Sequence, residues 1–285
     1  ASLTSCSDFL QVNATNQKEM DHSFTTYDEL RLATAYLYMK PWFGFHSTRL
    51  FAMGDARGNN IYGDNNNEQG YAPYCLFTDK PNTPGLTDAW NSLYIVITQA
   101  DYVINDYAPQ GRLHFDEKLA NSCEGEARFM RAAAYYYLAS YWHDVPLMEN
   151  PLEHTNAFNL APTRFEDVIR YGIRDLEYAA EYLPLTDTDG RVTRYSALGL
   201  LARYYVTLAA YARGGHCTQA TLESYGASDS NDLAEILYGL AKDAAGEVIT
   251  SQNKYGLMED YEEIFRVQNN NCKEVLFALQ PLQGV

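Results

Sequence analysis

Residues 121–147 read NSCEGEARFMRAAAYYYLASYWHDVPL, with one glycine and no proline before Pro146. A run so free of helix breakers predicts one long helix, and its side chains decide what that helix must do. Ala127, Met130, Ala134, Tyr137 or Leu138, and Tyr141 recur at steps of three and four residues, so one face is apolar. Glu124, Glu126 and Arg128 are left to face water or to pair. Alanines at 132, 133, 134 and 139 let a second helix approach closely, with tyrosines filling the gaps around them. The helix must stop near His143, because Pro146 lacks an amide proton and biases Val145 toward extended geometry.

The other helix signals fall into pairs with this one. Thr26 and Glu29 form a capping box for a helix carrying Leu30, Ala33, Tyr36 and Leu37, closed by Pro41. From Thr87 onward Trp90, Leu93, Tyr94, Ile97, Ala100, Asp101 and Ile104 keep helical spacing, and a polar, turn-rich link follows over 106–120. Thr163 and Glu166 make a second capping box ahead of the stripe Phe165, Val168, Ile169, Ile173, Leu176, Ala180 and Leu183, which Pro184 ends. The pairs are 26–40 with 87–106, 122–142 with 163–183, and 194–212 with 233–251. Together they predict an all-α chain of irregular, tetratricopeptide-like helical hairpins with long loops and minor strand content. Residues 43–87 break the pattern, being dense in Gly, Pro and Asn, and a loop that long inside an ordered domain points to function.

Composition removes several alternatives. At 285 residues the chain can bury roughly three quarters of its unfolded surface, and no apolar run reaches the length of about 18 residues that a membrane helix needs. Acidic residues outnumber basic ones, 37 to 21, and a net charge of -16 repels phosphate backbones, so no nucleic-acid partner is expected. The 6 histidines never stand as HxxxH or HExxH, and no GxSxG, P-loop or dinucleotide fingerprint appears. No catalytic residue, resident metal or cofactor is therefore assigned. The 24 tyrosines are the informative excess, since a tyrosine packs a ring and still presents a hydroxyl.

The run EARFMRAAAYYYLASYWHDVPL resembles the most recognisable segment of the SusD/RagB family of surface nutrient-binding lipoproteins from Bacteroidetes-type bacteria. Further likenesses follow in the family's order. They are Phe24-Thr25-Thr26, Gly54-Asp55, the Trp90 to Asp101 segment with Asp101 where Asn is usual, Asp175-Leu176 with Leu183-Pro184, Gly190-Arg191-Val192-Thr193, and Glu274 with Phe277 on an expected strand. The resemblance implies a single N-terminal region over 1–285, with a helical scaffold at 26–251, a ligand-facing loop at 43–87, and the C-terminal half of the family fold absent. It implies a glycan- or peptide-binding protein, acylated at Cys6 within Leu3-Thr4-Ser5-Cys6. Such a protein is anchored on the outer face of the outer membrane and serves a TonB-dependent, SusC-like transporter during polysaccharide utilisation.

Sugar recognition needs aromatic planes for the apolar faces of pyranose rings and polar groups for their hydroxyls. Trp42, Asp55, Arg57, Asn59, Tyr62, Tyr71 and Tyr74 supply that mixture in and just before the loop and are the expected ligand residues. Trp90 and Trp142, placed on helices, are assigned to packing. Two other readings use the same loop. Asp55 and Asp64 would be the acid and base of a glycosidase, and Asp64, Asn66 and Glu68 alternate oxygens as calcium ligands do, against the plainer reading of a solvated turn. A protein-binding tetratricopeptide adaptor is the contrasting class.

Overall fold

A computed structural model of the chain describes residues 24–39, 42–47, 49–62, 70–83, 85–150, 160–251 and 254–280. Cys6, Pro41, Asp64, Asn66 and Glu68 lie outside the described residues. The first helix, α1 (Tyr27–Thr34), starts at the expected capping box, with the Thr26 hydroxyl accepting from Glu29 N, and tightens into a 3-10 turn at Ala35–Tyr38. Short helices α2 (Phe43–His46), α3 (Arg49–Phe51) and α4 (Ala72–Cys75) follow, with a π turn at Ala52–Ala56. Then come α5 (Leu86–Tyr102), a π turn at Val103–Tyr107, α6 (Ala108–His114), α7 (Glu117–Trp142), α8 (Phe165–Tyr182), α9 (Arg194–Arg213), α10 (Gln219–Ser224) and α11 (Ser230–Ile249).

The long helices pack in series: α5 on α7, α7 on α8, α8 on α9 and α9 on α11, while α7 meets α9 mainly through tyrosine side chains. Each helix thus buries its apolar stripe mainly against sequence neighbours, the arrangement of a helical-hairpin array. Close approach between α7, α8 and α9 depends on Gly172. A Cβ there would collide with the ring of Tyr204, which is fully buried and donates its hydroxyl to Ala132 O at 2.6 Å. Gly172→Ala is expected to lower stability by about 1–3 kcal/mol through overpacking. The readout is a lower urea midpoint at unchanged slope, and an unshifted midpoint would show that the ring has room to move.

Four expectations are corrected. The 106–120 link is helical, because the π turn absorbs the change of register and Pro109 sits in the first turn of α6, where its missing N–H is not needed. The 43–87 region holds three short helices, whose turns carry Phe45, Ala52, Met53, Ala56 and Tyr74 into the core. Thr163 does not cap α8; it pairs with Val145 in an antiparallel bridge (3.2 and 3.0 Å), and Asp144 caps Phe165 N at 2.9 Å from across the chain. Among the described residues that bridge is the only β pairing, so no strand forms near Glu274 and Phe277. Residues 276–279 instead lie across α9 and α7, held by Ser196 Oγ donating to Leu276 O at 2.7 Å and by Phe277 edge-on to Phe129.

Buried charge locks the array. Arg131 on α7 donates to both oxygens of Asp175 on α8 (2.8 and 2.7 Å) and to Asp101 Oδ1 on α5 at 2.6 Å. Arg128 bridges Asp175 and Glu124, and Arg112 completes the chain at Glu124. A second cluster joins α1, α7 and the turn before α9, where Glu126 accepts from Tyr38 Oη at 2.6 Å and Arg191 Nη1 at 2.5 Å.

Burial pushes the Asp101 carboxyl up to about 7 despite Arg131 beside it, and its Oδ2 meets no donor among the described residues. The folded state therefore keeps a proton that the unfolded chain releases near about 4, so stability falls as pH rises through that window and stays lower above it. Asp101→Asn is expected to stabilise the protein by about 1–2 kcal/mol at pH 8 and to be close to neutral at pH 5. Urea unfolding at the two pH values measures it; a loss at pH 8 would mean that the ionised pair is net stabilising.

Candidate functional site

Packing of α5 on α7 brings the first turns of α5 beside the last residues of α7. Trp90 and Trp142 meet there, ring centroids 5.3 Å apart and planes at 84°, forming an aromatic corner. Tyr94 backs Trp90 at 4.9 Å, and Tyr141 flanks Trp142 at 6.1 Å. The segment leaving α7 is pinned to α5, the π turn after it and α7 by three hydrogen bonds of 2.8 Å. Tyr94 Oη donates to Pro146 O, Asn105 Nδ2 to Glu149 O, and Met148 N to Tyr135 Oη. These ties fix the chain just beyond Trp142, so the corner is held in place before any ligand arrives.

The corner is one wall of a cleft of about 570 Å³. Opposite it, the π turn at Ala52–Ala56 presents Met53 and leads to Arg57, while Tyr74, Asp79 and Lys80 come from α4 and the turn after it. Arg57 Nη1 and Asp79 Oδ1 pair at 2.5 Å on the rim. Burial raises the Tyr74 and Tyr141 hydroxyls above their ordinary value, so both are neutral donors at physiological pH. The cleft thus offers aromatic planes, and its lining includes the Arg57–Asp79 ion pair. That combination suits a ligand with apolar ring faces and polar edges and supplies no activated nucleophile.

The residues expected from sequence are scattered by the fold. Arg57 and Tyr74 line the cleft, Tyr74 only by its edge, being 1% exposed. Tyr71 packs partly buried against the core, Asp55 is held by Asn60 Nδ2 at 3.4 Å on the π turn, and Asn59 turns the chain at φ 63°. Tyr62 stands 79% exposed beyond the cleft lining. Trp42 is a core residue: it is 2% exposed, its indole N–H donates to Leu37 O at 2.9 Å, and it borders a different hollow of about 430 Å³ between α2, α7 and α9. Sequence reasoning missed Trp90, Tyr141 and Trp142 as cleft residues. The signal was there in outline, since consecutive antiparallel helices set the start of one against the end of the next. Among the described residues no group of three or more His, Cys, Asp or Glu is arranged to hold a metal ion.

Fold and cleft together define a helical-repeat scaffold carrying a cleft walled by aromatic side chains. Residues 8–206 match the SusD-like family model described as "Starch-binding associating with outer membrane". A SusD-like protein of Bacteroides ovatus is 32% identical over 283 residues, covering 96% of this chain and 47% of that protein. One solved structure is 31% identical with a TM-score of 0.75, covering 91% of this chain and 47% of its own. A crystal structure with xylogluco-oligosaccharide is 30% identical with a TM-score of 0.71, covering 89% and 46%. The chain belongs to the SusD-like family, and it spans about half the length of these relatives.

Proposed function

We propose that this chain forms part of a glycan-binding protein that captures oligosaccharides outside the cell and passes them, uncleaved, to a TonB-dependent transporter of the outer membrane. The observation that carries this reading is the rigid Trp90–Trp142 corner facing the Arg57–Asp79 pair across one cleft. Aromatic planes take the C–H faces of sugar rings, and the paired charges take vicinal hydroxyls. Family membership and the relative crystallised with xylogluco-oligosaccharide support the ligand class, and the family description supports the outer membrane. Acyl anchoring at Cys6 belongs to the same reading and rests on the Leu3-Thr4-Ser5-Cys6 box.

Calorimetric titration with xylogluco-oligosaccharides, malto-oligosaccharides and unrelated peptides tests the ligand. Saturable binding of either glycan supports the reading; binding of peptides alone overturns it in favour of the peptide-binding alternative. Saturable glycan binding in the same titration also argues against the adaptor alternative.

A further inference from the structure

We propose that Phe77 is an outer stacking platform of this cleft, so that the site engages an oligosaccharide longer than the cleft itself; the proposal rests on the glycan-binding reading above. Phe77 follows α4 in the left-handed region, at φ 54°. Helix ends of that shape favour glycine or asparagine, because a β-carbon crowds the carbonyl there. Phe77 N bonds Tyr74 O at 3.4 Å and Thr78 N bonds Pro73 O at 2.9 Å, so the turn is closed.

Neither burial nor backbone preference accounts for the ring. Phe77 is 66% exposed, although a lone exposed apolar residue by itself would need no explanation. What singles it out is the company it keeps. The Arg57 guanidinium lies 5.0 Å from the Phe77 ring centroid while its Nη1 holds Asp79, and both charged residues line the cleft. Through Arg57 the Phe77 ring therefore adjoins a cleft whose lining also holds the tryptophan corner. A strained, exposed aromatic next to a binding cleft is where strain is retained for function. The partner this fits is a further sugar ring of the same chain, set with its C–H face on the side of the Phe77 ring that Arg57 leaves open.

Phe77→Gly separates ring from fold, since glycine suits the left-handed backbone and leaves the turn intact. The protein and this variant are titrated by calorimetry with xylogluco-oligosaccharides of one and two repeating units, with thermal melts as the fold control. The variant is expected to lose about tenfold in affinity for the two-unit ligand and less than about twofold for the one-unit ligand. Equal losses for both ligands, or none for the longer, overturn the platform while leaving glycan binding standing. So does a native protein that binds the two lengths equally well. Absence of binding to either by the native protein overturns the platform, and absence of malto-oligosaccharide binding as well overturns the glycan reading with it.

Discussion

Replacing Arg131 with methionine is expected to lower folding stability by about 3–5 kcal/mol at pH 8, the range for breaking a buried ion pair by removing one partner. The guanidinium side chain is 3% exposed, makes three hydrogen bonds to Asp175 and Asp101, and lies over the Tyr171 ring at 4.8 Å. Methionine restores much of the volume and none of the charge. Asp175 keeps Arg128 at 2.8 Å, but Asp101 is left without a cation among the described residues. A buried carboxyl without its partner is pushed further up, so the folded variant holds protons that the unfolded chain gives away as pH rises. The loss is therefore largest at alkaline pH and shrinks toward pH 5. Urea unfolding at pH 5 and pH 8 reads both effects; a loss under about 1 kcal/mol at pH 8 would show that the network adds little net stability.

The second large effect is on binding. Trp142→Ala is expected to weaken oligosaccharide affinity by about 2–3 kcal/mol, on the order of a hundredfold, as for a central aromatic anchor. Removing the indole leaves Trp90 without its perpendicular partner and opens the end of the cleft. The fold should survive, because the chain beyond Trp142 is held by the Val145–Thr163 bridge and by the bonds to Pro146, Met148 and Glu149 rather than by the indole. Calorimetry with xylogluco-oligosaccharide, alongside a thermal melt, checks the two halves. Unchanged affinity in a folded variant would remove the corner from the site.

Local order in the chain was open to one-dimensional reading wherever periodicity or a breaker decides it. The long helix ends at Trp142, as Pro146 requires, with His143 at φ 66°; Thr26 caps α1; and the stripe from Phe165 onward becomes α8. Neither periodicity nor composition could say that Asp144, and not Thr163, caps α8, since that cap crosses 21 positions of sequence. The same holds for Glu166. Placed to complete a capping box, it turns inward and accepts from Thr218 N at 2.9 Å.

Sequence alone determined the helical class and the succession of helices, because hydrophobic spacing and helix stops act between residues a few positions apart, and the likeness of the run ending at Leu147 pointed to the family. The expected pairing of 26–40 with 87–106 did not hold, since α1 packs mainly on α7 and α5 on α7. Tertiary structure decided which aromatics line the cleft. Trp42, just before the loop, is buried, while Trp90 and Trp142, on the scaffold, wall the cleft. Exposure at each of these rings is set by which helix end lies against which. That depends on packing between segments some fifty residues apart, and no local pattern carries it.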